Sequence, residues 1–220
     1  MQVPDDPLTA PHGMAILGAT QSGKTAVARE MHAETPRVSV WINEQGESRV
    51  RDIARDGAPV RSSADVVDAI ADREGAVELR SRNRSRDVPK LVSELWALAD
   101  RTDRQLPVQV VVDEAHRVAP QSQKPDLPGR DALRRLAKEG MKRNIKLVSI
   151  TQDPVSVDKQ MLRQSHLRLV FPMSAESRDA VSRMGFDWSV VDEAPAYTGV
   201  LHHMTGRVLD PAVRAAEEHA

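Results

Sequence analysis

Residues Gly18-Ala19-Thr20-Gln21-Ser22-Gly23-Lys24-Thr25 spell G-x-x-x-x-G-K-T. This set of residue types suits one task, the grip of a polyphosphate. Glycines at both ends let the backbone take conformations that a Cβ would forbid. Loop amides at Gly18, Gln21, Ser22 and Gly23, with the N-terminus of a following helix, then point at phosphate oxygens. Lys24 adds a full positive charge at the β and γ oxygens, and Thr25 supplies a hydroxyl for Mg²⁺. The motif needs a strand before it and a helix after it. Gly13-Met14-Ala15-Ile16-Leu17 is short and apolar, as a buried strand is, and Val27, Ala28 and Met31 recur at helical spacing. A bound nucleoside triphosphate, ATP with Mg²⁺, is the expectation.

A second element lies roughly 90 residues downstream. Val108-Gln109-Val110-Val111-Val112 reads as a strand buried on both faces and ends in Asp113-Glu114. Acids at the C-terminal end of such a strand stand where open α/β sheets bind ligands. Asp113 is expected to hold Mg²⁺ together with Thr25, and Glu114 to act as general base toward water. Were Glu114 not the base, Glu44 at the end of the strand Val38 to Asn43 would be the next candidate. A third strand, Lys146 to Ile150, ends in Thr151-Gln152, and Gln152 is the candidate sensor of the terminal phosphate. That role needs this strand to lie between the other two. His116 is expected to be a structural or supporting residue.

Strands and helices alternate around these elements, which implies βαβ units and a mostly parallel sheet flanked by helices. The expected fold is an α/β P-loop NTPase of the RecA/ASCE type with a small C-terminal hairpin, Thr198 to His203 against Arg207 to Leu209. The expected organisation is an extended arm over 1–12, one ATPase domain over 13–210 and a tail over 211–220. The 220 residues suffice for one such domain. Aromatics are only 3%, so Val, Leu, Ile, Ala and Met must build the core. No cysteine is present, which excludes disulfides and thiolate metal sites. A formal charge of -1 excludes a generally basic nucleic-acid coat and leaves only local patches. Nothing reads as a signal peptide or an apolar span, so a soluble, non-secreted protein is expected.

Asp113-Glu114-Ala115-His116, Leu136-Ala137-Lys138-Glu139-Gly140 and Leu147 to Gln152 followed by Pro154 together resemble the HerA/FtsK superfamily of DNA-pumping ATPases. A single domain of this size is similar to the genome-packaging ATPases of tailless viruses with an internal membrane. The resemblance implies ATP hydrolysis coupled to movement of double-stranded DNA by a homo-oligomeric ring, pentameric or hexameric. It further implies docking to virion vertex or membrane proteins, and a place in the host cytoplasm or on the virion. It also implies an arginine supplied in trans. Met141 stands where that family has Arg, so Arg143 is the first candidate, before Arg84 and Arg82.

Two basic clusters are candidates for surface roles. Arg80, Arg82, Arg84 and Arg86 alternate with small polar residues, and on an extended loop they would form one row suited to a phosphate backbone. Arg130, Arg134, Arg135, Lys138, Lys142, Arg143 and Lys146 would face a subunit boundary. Two other function classes stay open. One is an assembly ATPase acting on protein partners, since filamentous-phage assembly ATPases share the Asp-Glu-Ala and Thr-Gln-Asp-Pro flavour. The other is a small P-loop kinase, against which a water-activating Glu114 argues.

Overall fold

The computed structural model describes residues 12–35, 37–43, 62–71, 76–80, 84–122 and 127–214. Its centre is an 8-stranded sheet. In chain order the strands are β1 (Met14–Leu17), β2 (Val38–Asn43), β3 (Ala76–Arg80), β4 (Val108–Val112), β5 (Ile145–Thr151), β6 (Leu167–Val170), β7 (Gly199–His203) and β8 (Val208–Val213). In space they run β3-β2-β4-β5-β1-β6-β7-β8. Strands β1 to β6 pair in parallel. Strands β7 and β8 then add an antiparallel hairpin to the β6 edge, as expected for the C-terminus. The third motif strand, β5, does lie between β1 and β4, with Met14 opposite Val148 and Val108 opposite Ile145.

Strand periodicity sorts the core into two layers. Met14, Ile16, Val111, Val148 and Ile150 face α1 (Lys24–Glu34) and meet its Val27, Ala28 and Met31. Ala15, Leu17, Val110, Val112 and Leu147 face the other way. There they pack with α2 (Ser63–Ala71), α3 (Arg84–Arg101), α4 (Ala115–Val118), α5 (Pro128–Glu139) and α6 (Lys159–Arg163). The helices α7 (Ala175–Val181) and α8 (Trp188–Glu193) cover the β6–β7 side of that layer.

Both basic clusters differ from expectation. Arg84 and Arg86 belong to the first turn of α3. The backbone from Arg84 on is therefore helical, not the extended loop on which every second residue would fall in one row. Arg80 ends β3, and Arg82 lies outside the described residues. The second cluster is dispersed. Arg130 is buried and donates to Ser122 O, Lys146 is fully buried within β5, and Arg134 pairs with the buried Asp158. Arg135 and Arg143 both stack on Trp96, with centroid distances of 5.2 and 5.0 Å. Aromatic and carboxylate partners hold these guanidinium groups, although Arg135 stays largely exposed. Residues 1–11 of the expected arm over 1–12, residues 215–220 of the expected tail over 211–220, and Glu44 lie outside the described residues, while β8 runs to Val213, into the span expected as tail.

Candidate active site

Leu17 lies opposite Thr151 and Val112 opposite Ser149, so β1, β4 and β5 end at one edge of the sheet. The loop from Gly18 to Gly23 leaves β1 there and feeds directly into α1. Gly18 is demanded by packing. A Cβ on it would stand 2.6 Å from Phe171 Cβ and 2.9 Å from Ser22 Oγ. Gly23 caps α1 with φ 97°, a left-handed conformation that favours glycine. A second anchor is the Ala19 N–H, which donates to Pro172 O at 3.1 Å. The loop is thus built into the sheet before any ligand arrives.

Lys24 opens α1 and is only 7 % exposed. Its ammonium donates to Ala19 O and, at 3.3 Å, to Ser22 Oγ. Burial lowers its pKa to about 8, against the opposing pull of Glu114 and Asp113. Asp113 follows β4 and is pushed up to about 6, first by burial and then by Glu114, while the Glu114 amide, Lys24 and Arg29 oppose this. The Glu114 amide donates to Asp113 Oδ1 at 2.9 Å, which fixes that carboxylate at the strand end. Glu114 itself sits at φ 49°, ψ 49°. A non-glycine residue held there is strained, and such strain gathers at functional sites.

Glu114 Oε2 is buried and accepts no hydrogen bond. His116 Nδ1 lies 3.3 Å from it, within ion-pair range but off the hydrogen-bond direction. The same nitrogen is 3.1 Å from Thr151 Oγ1, which also accepts the Asp153 N–H at 3.1 Å. One ring nitrogen therefore stands between the acid after β4 and the end of β5. On the next position of β5, Gln152 Oε1 accepts from Thr20 Oγ1, so the expected sensor touches the loop directly.

Sequence and structure agree on which residues meet. Gly18, Gln21, Ser22, Gly23, Lys24, Thr25, Asp113, Glu114 and Gln152 converge at one edge. Arg143 does not join them. It ends the 3-10 turn Gly140–Arg143 at the opposite end of β5, pairs with Asp100 at 3.4 Å and lies on Trp96. From there it cannot reach its own loop, and any part in the reaction would be at another copy's site. Thr20 and the His116–Thr151 contact escaped sequence reasoning. Both are side-chain contacts between residues far apart in the chain, and only the order β4-β5-β1 brings them together.

The residues fit a magnesium nucleotide. Lys24 is a buried cation with neutral oxygens as its hydrogen-bond acceptors, Glu114 holds a buried oxygen without a donor, and the Gly18 and Gly23 backbone keeps side chains out of the cradle. A charged ligand would offset the burial of the Lys24 ammonium and of the Glu114 oxygen. Among the described residues no cluster of His, Asp and Glu could hold a metal ion by protein ligands alone.

Fold and loop together define the P-loop NTPase architecture. No family model matches the sequence, and no curated protein matches it. Among solved structures, the chain is similar to the genome-packaging NTPase B204 of Sulfolobus turreted icosahedral virus 2 in complex with ATP-gammaS. The two are 14% identical with a TM-score of 0.67, over 90% of this chain and 95% of that one. It is also similar to EssC (ATPases 2 and 3) from Geobacillus thermodenitrificans, at 12% identity and a TM-score of 0.63, over 96% of this chain and 41% of that one. The cytoplasmic domain of the Thermomonospora curvata type VII secretion ATPase EccC aligns at 12% identity and a TM-score of 0.60, over 96% of this chain and 26% of that one. At such identities the likeness is one of fold. No described helix is long and apolar enough to cross a membrane.

Proposed function

We propose that this chain is an ATPase that works as a homo-oligomeric ring and moves double-stranded DNA, in the manner of a viral genome-packaging motor. The hydrolytic part rests on the site. Lys24 and the loop amides bind the β and γ phosphates. Glu114, with one oxygen unpartnered, takes the proton of the attacking water. Gln152, tied to the loop through Thr20, reads the presence of the terminal phosphate. His116, held by Thr151 at 3.1 Å and 3.3 Å from Glu114 Oε2, would orient the carboxylate through charge and packing. Thr25 and Asp113 would hold Mg²⁺, which when bound neutralises charge on the phosphate oxygens.

The DNA-moving part is carried by one observation. The chain shares its fold with a genome-packaging NTPase, with a TM-score of 0.67, slightly above its likeness to the secretion ATPases at 0.63 and 0.60. Arg143 is proposed as the arginine that completes a neighbour's site. The proposed DNA contacts are Arg80, Arg82, Arg84 and Arg86, of which Arg80 ends β3 and Arg84 and Arg86 begin α3; they would meet phosphates rather than bases. The likeness to EssC and EccC supports a second reading, an ATPase that acts on protein partners.

The test is ATP turnover at low salt with and without duplex DNA. Stimulation by duplex supports the motor. Turnover that ignores duplex, in a protein that does not bind it, sinks the motor and favours the protein-directed reading. Glu114→Gln should bind ATP and lose about 10² to 10⁴ in turnover. Normal hydrolysis by that variant would move the base elsewhere.

A further inference from the structure

The loop from α8 into β7 carries the chain's single tyrosine. Tyr197 is 68 % exposed, far more than any other large hydrophobic residue among those described. Its backbone lies at φ 59°. The Thr198 N–H donates to Pro195 O at 3.1 Å, which closes a turn with Tyr197 at its third position. Glycine or asparagine is the usual residue there, because the φ is positive. A bulky aromatic held in strain and displayed to solvent gains nothing for the core. Such outliers point to a ligand.

The position of the loop says which ligand. A Cβ on Gly23 would stand 3.1 Å from Tyr197 O and 3.5 Å from Tyr197 Cα, so this turn rests against the phosphate loop itself. Strand β1 has β5 on one side and β6 on the other. Glu114 and Gln152 belong to the β4–β5 side. A nucleotide with its terminal phosphate toward them would send its nucleoside end out on the β6–β7 side. That is where the Tyr197 turn enters β7.

We infer that Tyr197 is the stacking platform for the base of the nucleotide whose phosphates the loop holds; this rests on the nucleotide reading above. Stacking reads the π-face and its area and not the hydrogen-bonding edge. The site should therefore prefer purines to pyrimidines and separate adenine from guanine poorly.

Equilibrium binding of ATP, CTP and inorganic triphosphate to the full chain, as wild type, Tyr197→Ala and Tyr197→Phe, tests this. Tyr197→Ala should bind ATP about ten- to hundredfold more weakly. It should bind triphosphate as the wild type does, and lose the preference of ATP over CTP. Tyr197→Phe should keep both. The assignment is overturned if Tyr197→Ala binds ATP like wild type. It is equally overturned if ATP and triphosphate weaken together, since that means only a distorted loop. If the wild type binds neither ATP nor triphosphate, the nucleotide reading falls and Tyr197 with it. Binding of both by the wild type isolates the tyrosine as the point at issue.

Discussion

Lys24→Met should make the ligand-free protein more stable at neutral pH while abolishing nucleotide binding. Methionine keeps much of the stem's volume and removes the buried ammonium. In the fold that ammonium has a pKa of about 8, against 10.5 for the free group. The difference of roughly 2.5 units is worth about 3 kcal/mol, an upper bound on what the charge costs the folded state. The sign follows from proton counting. Between pH 8 and 10.5 the unfolded chain still holds a proton that the folded chain has released, so wild-type stability rises with pH through this window. Lys24→Met has no such group, and its advantage should shrink steadily over the same range. For a chain of this size, 3 kcal/mol corresponds to a Tm difference on the order of 10 °C at pH 7. Thermal or urea unfolding of both proteins from pH 7 to 10, without nucleotide, measures it. Groups common to both proteins cancel in the difference between them and leave its slope to Lys24. An advantage that is absent at pH 7, or that does not change with pH, would refute the idea of a desolvated lysine waiting for an anion. Added ATP should raise the Tm of the wild type alone.

Four further outcomes are expected. Asp113, raised to about 6, contributes stability that is present below pH 4 and lost as pH rises through 6, so Asp113→Asn should flatten the acid-side stability profile. In the wild type, Mg²⁺-dependent ATP affinity should fall as pH drops below about 6, because the ligand carboxylate protonates. His116→Ala and Thr151→Val should each lower kcat roughly ten- to hundredfold, through a misplaced Glu114, with ATP affinity unchanged; equal loss of affinity would mean a structural role only. Arg143→Ala should cost about 0.5–1 kcal/mol through its lost contact with Trp96, and mixed with Lys24→Ala copies it should regain turnover if it serves a neighbour's site. No recovery, with both proteins folded and associated, removes Arg143 from the reaction.

What could be read from the chain, and what could not, divides along a physical line. Motifs whose function fixes their backbone were legible: the loop at Gly18 to Thr25, the strand before Asp113, and the place of β5 between them. Each couples an apolar run to a polar end, and that pattern survives without tertiary information. The start of α3 was not legible, because Arg84-Ser85-Arg86-Asp87 carries no apolar residue to show helical period. The fate of the arginines was equally hidden. Charge in a sequence says nothing of whether Trp96 or Asp158 waits in space to bury it. The link from His116 to Thr151 joins adjacent strand ends that are well separated in the chain, and nothing local announces it.

The strand order has a consequence for how the protein is made. Among the described strands, β1 pairs only with β5 and β6, and Met14 finds its ladder partners in Val148 and Leu167. A nascent chain that has reached Glu114 already contains the phosphate loop and both acids, yet has no strand to lay between them. At ribosomal speeds of about 5–20 residues per second, β1 waits on the order of ten seconds for its first neighbour. Throughout that interval an apolar strand with free edges is open to the wrong partners. Nucleotide cannot steer the early stages, because its site does not exist until β5 arrives. Assembly is therefore closer to a late, all-at-once closure than to stepwise growth from the N-terminus, and synthesis in the cell should depend on whatever shields the first strand until then.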